Sequence, residues 1–180
     1  VEVSNAYRSD VLPTSTEQNL YGGIYRDVEL IVTDKTTVSP LYYGTEGVIV
    51  VPSKVSTEGV EGSVSVALIG KKDAQCNVTV DIVSPDGYVA DTKSVKAKID
   101  GKMLHVPFSV TNPELWSLHK PSLYRVDVVV GADTVSLNTG FRRLEVTPQQ
   151  LLTLNGKQVP VRGVNLCHDN AKRGNALTQS

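Results

Sequence analysis

Cysteine is almost missing from this chain of 180 residues, which holds only Cys76 and Cys167. Two cysteines exclude a disulfide framework, and their spacing fits no metal site. Both read as free thiols, with Cys76 a small core residue, a common fate for unpaired cysteine. Charge of one sign is equally scarce: 18 basic and 19 acidic residues leave a net charge of −1. No electrostatic footprint for nucleic acid follows from that balance, and no polybasic patch for a membrane surface. No apolar run nears the roughly 20 residues that span a bilayer. There is no initiator Met and no charged, apolar leader. Val1 opens in what reads as the middle of a strand. The N-terminus therefore reads as cut from something longer, with any periplasmic or secretory signal upstream.

Hydrophobic residues make up 40% of the chain, enough to bury a core. They recur with period two, which argues strands. Val64, Val66 and Leu68 alternate with Ser63, Ser65 and Ala67. Cys76, Val78, Val80 and Ile82 alternate with Asn77, Thr79 and Asp81. Ser84-Pro85-Asp86-Gly87 is a turn, with Pro presetting φ and Gly tolerating positive φ. Val95, Ala97 and Ile99 follow, then Leu104, Val106, Phe108 and Val110, then Tyr124, Val126, Val128 and Val130. Gly131-Ala132-Asp133 leads to Val135, Leu137, Thr139 and Phe141. Val48 to Val51 is an earlier strand, expected to stop at Pro52. Lys96 and Lys98 read as the solvated face of an edge strand rather than an anion site.

Seven short strands thus fit between Asp34 and Glu145, with no helical period in any window. The expected fold is all-β, an immunoglobulin-like sandwich of about seven antiparallel strands. Val64, Val66, Leu68, Val80, Ile82, Val126 and Val128 should be buried between its two sheets. No inter-sheet disulfide can form, since Cys76 is the lone cysteine in this stretch. Val159 to Val164 is a further strand-like run in the tail.

Patterns that carry chemistry are few in this sequence. Glycoside hydrolysis needs paired carboxylates, and none of the Asp and Glu residues stands out as half of a facing pair. There is no nucleophile elbow, no P-loop and no dinucleotide glycine fingerprint, so no cofactor is expected. His105, His119 and His168 are too dispersed for a metal site, and His105 reads as an outward strand residue. His168-Asp169 follows a strand-like run, the place where α/β barrels put their sites, but by itself the pair reads rather as a surface loop. Trp116 is either a sugar-stacking platform or a corner residue beside Pro121 and Tyr124. The corner reading is preferred, because its loop carries other large apolar residues.

Three separated stretches resemble glycoside hydrolase family 2, the β-galactosidase and β-glucuronidase type. They are Gly22-Gly23-Ile24-Tyr25-Arg26-Asp27-Val28-Glu29-Leu30; Pro113-Glu114-Leu115-Trp116-Ser117 with Pro121-Ser122-Leu123-Tyr124; and Gly140-Phe141-Arg142 through Leu154-Asn155-Gly156-Lys157 to Arg162-Gly163-Val164-Asn165. The resemblance implies residues 1–33 as the end of a jelly-roll sugar-binding domain, 34–147 as the sandwich and 148–180 as the start of a (β/α)8 catalytic barrel. It implies that both catalytic glutamates, which lie on later barrel strands, are missing, so the chain alone should hydrolyse nothing. It also implies that Asn165, His168 and Asp169 line the sugar subsite of the full-length enzyme, in the stretch Asn165-Leu166-Cys167-His168-Asp169, where Cys167 departs from the family pattern. The expected partner is a carbohydrate, through the parent enzyme. Without its barrel the tail would fold back on its own sandwich or pair with a second copy through Gln158 to Val164. The alternative to all of this is a stand-alone sandwich that binds carbohydrate or a protein.

Overall fold

The computed structural model describes residues 2–4, 6, 9–10, 22–24, 26–165, 170, 172–174 and 176. Two compact units divide the chain: Val1–Ile31 with Arg162–Ser180, and Val32–Val161. In the first unit the described residues form no strand. Val28 and Leu30 lie open there, and Asn170 closes a turn by accepting the Gly174 N–H at 2.8 Å.

The second unit carries all the regular structure among the described residues. Its strands are β1 (Thr37–Val38), β2 (Val48–Val55), β3 (Gly59–Ile69), β4 (Gln75–Val83), β5 (Val89–Lys98), β6 (Met103–Thr111), β7 (Tyr124–Val130), β8 (Asp133–Thr139), β9 (Leu144–Val146), β10 (Leu152–Leu154) and β11 (Lys157–Gln158). There is no helix among the described residues, hence none long and apolar enough to cross a membrane. One sheet sets β3 between β2 and β6, with β1 on the end of β3. The other runs β5-β4-β7-β8. All the pairings are antiparallel. The chain crosses between sheets after β3, after β5 and after β6, which is the Greek-key wiring of an immunoglobulin-like sandwich. β2 to β8 are the seven strands expected from the alternation.

That alternation sets the core. Val64, Val66 and Leu68 of β3, Val80 and Ile82 of β4, and Val126 and Val128 of β7 are all buried, as expected. Val106, Phe108 and Val110 of β6 join them, with Phe141 beyond β8. Valine dominates because a β-branched side chain packs well on a pleated surface. Each buried Val or Phe contributes about 1.5–3 kcal/mol relative to exposure.

Two local features depart from the expected pattern. Pro52 does not end β2, which continues to Val55 through a bulge between Pro52 and Lys54. β2 is an edge strand, and there a missing N–H costs no ladder bond. The bulged Ser53 donates its hydroxyl to the Glu61 carbonyl at 3.1 Å. The second feature precedes β2. The Ser39 N–H donates to the Ala67 carbonyl, and the Ala67 N–H to the Gly47 carbonyl, so the chain leaves β3 and returns at one residue. This pinch requires glycine. Gly47 has φ +71°, and a Cβ there would lie 2.4 Å from the Ser39 carbonyl oxygen.

β9, β10 and β11 form a small third sheet. Its β10–β11 turn is Asn155-Gly156, with φ of +52° and +79°, the left-handed pair of a two-residue hairpin. The strand expected over Val159 to Val164 does not form. Pairing ends as the Val159 N–H donates to the Leu152 carbonyl, and Pro160 has no N–H to continue it. Val161 and Val164 are exposed.

Candidate functional site

Of the three residues expected to line a sugar subsite, His168 and Asp169 lie outside the described residues. Asn165 is described and is exposed.

The sandwich does hold a facing carboxylate pair, which sequence reading did not single out. Pairing of β4 with β7 sets Asp81 directly opposite Asp127. Like charges in that relation repel, so each needs a partner. Asp81 accepts the Thr92 hydroxyl at 2.5 Å. Asp127 accepts the Ser136 hydroxyl at 2.7 Å and the Arg125 Nε–H at 3.0 Å. Both lie on the outward face of the second sheet, each bonded to a hydroxyl of the neighbouring strand, Thr92 of β5 and Ser136 of β8. A general acid or nucleophile needs a free carboxyl facing a bound sugar, and neither Asp is placed for that. Asp91 is also structural: it accepts the Ser109 N–H at 2.8 Å and pairs with Lys93 at 3.0 Å, tying β5 to β6.

Among the described residues no three His, Cys, Asp or Glu side chains gather as a metal-holding group. His105 points outward, as expected, and its Nδ1 shares a hydrogen bond of 2.8 Å with the Ser65 hydroxyl across β3 and β6. Cys76 is unpaired and half-buried against the core, and burial pushes its thiol above the usual range, away from thiolate chemistry.

The densest polar assembly lies where the chain enters β7. Tyr124 is buried, and its hydroxyl oxygen accepts the Glu114 N–H at 2.9 Å. A tyrosine at the start of this strand that bonds back to the preceding loop is the tyrosine corner of such sandwiches. Glu114 accepts from the Lys120 ammonium at 2.8 Å and from the Ser122 hydroxyl. The hydrogen bond from Lys120 to Glu114 raises the Lys120 pKa. Burial raises that of Tyr124, opposed in part by its bond from the Glu114 N–H.

With the folded pKa above the unfolded value of about 10, the Tyr124 contribution is fully present below pH 10 and is lost as pH rises through the folded value. Tyr124→Phe leaves the Glu114 N–H without its acceptor and should cost about 1 kcal/mol at neutral pH. Urea midpoints of the two proteins should therefore converge above pH 10. A gap that stays constant to pH 11.5 or so would contradict this role.

Trp116 is half-buried beside this corner. Its backbone N–H donates to the Phe141 carbonyl at 2.8 Å, and its backbone carbonyl accepts the Asn155 side-chain amide at 2.9 Å. The Arg142 guanidinium lies over its ring, 4.9 Å from the centroid. Gly140 packs so closely that a Cβ there would stand 2.8 Å from the indole Cδ1. The ring is thus occupied by its own chain, which favours the corner residue over the sugar platform.

Residues 47–142 match the family described as glycosyl hydrolases family 2. This stretch coincides with β2 to β8. A β-glucuronidase of Bacteroides fragilis is 32% identical over 98% of this chain and 27% of its own length. A β-galactosidase of Thermoanaerobacter pseudethanolicus is 25% identical over 92% of this chain and 22% of its own. The crystal structure of a Bacteroides uniformis β-glucuronidase superposes with a TM-score of 0.82 at 29% identity, covering 98% of this chain and 22% of that one. The chain therefore spans about a quarter of the length of the curated relatives it matches.

Proposed function

The chain belongs to family 2 of the glycosyl hydrolases, and on that premise we propose that it is the immunoglobulin-like portion of a longer glycosidase, a spacer that orients its neighbours and cleaves no bond itself. The observation that carries this reading is the coincidence of the matched residues, 47–142, with seven strands whose inward side chains are all spent on a core. Its carboxylates support the same reading, since the one facing pair described, Asp81 and Asp127, serves to tie strands together.

In this proposal residues 1–33 close a jelly-roll domain, 34–147 are the spacer, and the stretch from 148 leads into a (β/α)8 barrel. The longer protein would hydrolyse O-glycosidic bonds in carbohydrate with two carboxyl groups from later barrel strands. Asn165, His168 and Asp169 would line its sugar subsite, at the end of a barrel strand where such sites are built. The resemblance of the stretch Asn165-Leu166-Cys167-His168-Asp169 to the end of the family's first barrel strand is what supports that placement. The relatives include both glucuronidases and galactosidases by name, so the sugar itself stays open within the β-glycoside class. For the 180-residue chain by itself, pairing of two copies through Gln158 to Val164 is the corresponding proposal, supported by the exposure of Val161.

Calorimetric titration of the 180-residue chain with methyl β-galactoside and methyl β-glucuronide tests the spacer against a stand-alone binding module. The spacer predicts only dilution heats. A saturable heat that survives in the presence of an unrelated sugar, but not of the matching one, would replace this reading with a carbohydrate-binding module.

A further inference from the structure

We infer that Trp116 and Asn155 form a locked joint that fixes the β9–β11 sheet to the end of the sandwich, so that the two act as a single body. The inference deepens the spacer reading and rests on it for its functional meaning, since a spacer that orients its neighbours must not hinge where the chain leaves it.

The small sheet needs such a hold. Its strands have three, three and two residues, and so small an assembly is not stable alone in water. Of its apolar residues Leu154 is buried, whereas Leu144 and Val146 are exposed, so its own packing is slight. What it has instead is a convergence of three chain segments on two residues. Asn155 donates its side-chain amide to the Trp116 carbonyl at 2.9 Å, while its side-chain oxygen accepts the Arg143 N–H at 2.9 Å. The Asn155 N–H donates to the Arg143 carbonyl at 2.8 Å. Trp116 is held in turn by the Phe141 carbonyl, by Gly140 against its indole and by Arg142 over its ring.

Each residue type is needed where it stands. At position 155 the backbone is left-handed, φ +52°, which asparagine tolerates, and among tolerant residues it alone offers both a donor and an acceptor to be shared between two segments. At position 140 any Cβ would enter the indole. Trp116 is the single tryptophan of the chain, so its fluorescence reports the joint directly.

The test uses hydrogen exchange and tryptophan emission on the 180-residue chain, and needs no sugar chemistry. Asn155→Gly keeps the left-handed backbone and removes both side-chain bonds. Asn155→Asp keeps the acceptor for Arg143 but turns a carboxylate oxygen, which cannot donate, toward the Trp116 carbonyl. In Asn155→Gly the β10 amides should exchange about tenfold faster, while those of Val80 and Val128 change less than about twofold. Trp116 emission should shift to the red and become more quenchable by acrylamide in both variants. Equal acceleration of β10 and core amides would show that Asn155 merely contributes to overall stability. Unchanged β10 exchange would show that the joint holds nothing. Either result overturns the inference and leaves the spacer reading untouched, whereas a saturable sugar heat would undo the spacer and leave the joint standing.

Discussion

Phe141→Ala should lower the unfolding free energy by about 3–5 kcal/mol, the range for deleting a fully buried aromatic ring. Phe141 is wholly inaccessible, and it lies beyond the end of β8, at the edge of the core. Its ring stacks on Phe108 at 5.6 Å and tilts against Tyr124 at 4.7 Å. These are the two phenylalanines of the chain, so no other Phe can fill the gap. Aromatic pairs of this kind contribute about 0.5–1.5 kcal/mol beyond the area they bury. The Phe141 carbonyl also accepts the Trp116 N–H, so a shift of this residue loosens the corner as well. A domain of this size has about 5–15 kcal/mol in total. The variant should therefore lose about a fifth or more of its stability and unfold at a lower urea concentration with an unchanged m-value. Phe141→Leu should lie between the two. A loss below about 1 kcal/mol for the alanine variant would mean that the three rings are not one packed cluster.

How much of this was legible beforehand follows from strand length. β3, β4, β6 and β7 have seven or more residues, and over that length a period of two is plain in the spacing of Val64, Val66 and Leu68 or of Val126, Val128 and Val130. Strands of two or three residues show no period, so β1 and β9 to β11 left no such trace. Asn155-Gly156 did offer a signal, because Asn-Gly between extended residues marks a two-residue hairpin. Pro52 misled because it bars a central strand but not an edge strand, and whether β2 is an edge is decided by the whole sheet. Val159 to Val164 misled in the other direction, since a run of valines is only a strand where a partner backbone is available.

The candidate site was less legible. Register is a tertiary fact, and nothing in the chain between Asp81 and Asp127 shows that they end up opposite each other. Trp116 could be weighed from its neighbours, but Gly140, Arg142 and Asn155, which cover or hold it, are 24 to 39 residues away in sequence. The family resemblance, in contrast, was carried by short loop motifs that need no register, and the match over 47–142 agrees with it.

The spacer account rests on one chemical claim, that these residues hold no cleaving carboxyl pair. Retaining hydrolysis needs two carboxyl groups about 5–5.5 Å apart across a bound sugar, one as acid and one as nucleophile, and inverting hydrolysis sets them about 6.5–9.5 Å apart. Asp81 and Asp127 are neighbours of about the right kind, but they are engaged by Thr92, Ser136 and Arg125 on a sheet face. The decisive measurement is the release of nitrophenol from 4-nitrophenyl β-galactoside, β-glucuronide and β-mannoside, by this chain and by the longest polypeptide its gene encodes. The account predicts the no-enzyme rate for the 180-residue chain on every substrate, unchanged in Asp81→Asn and Asp127→Asn, and turnover by the longer polypeptide on at least one of them. Turnover by the 180-residue chain that survives repurification and disappears with either substitution would contradict it.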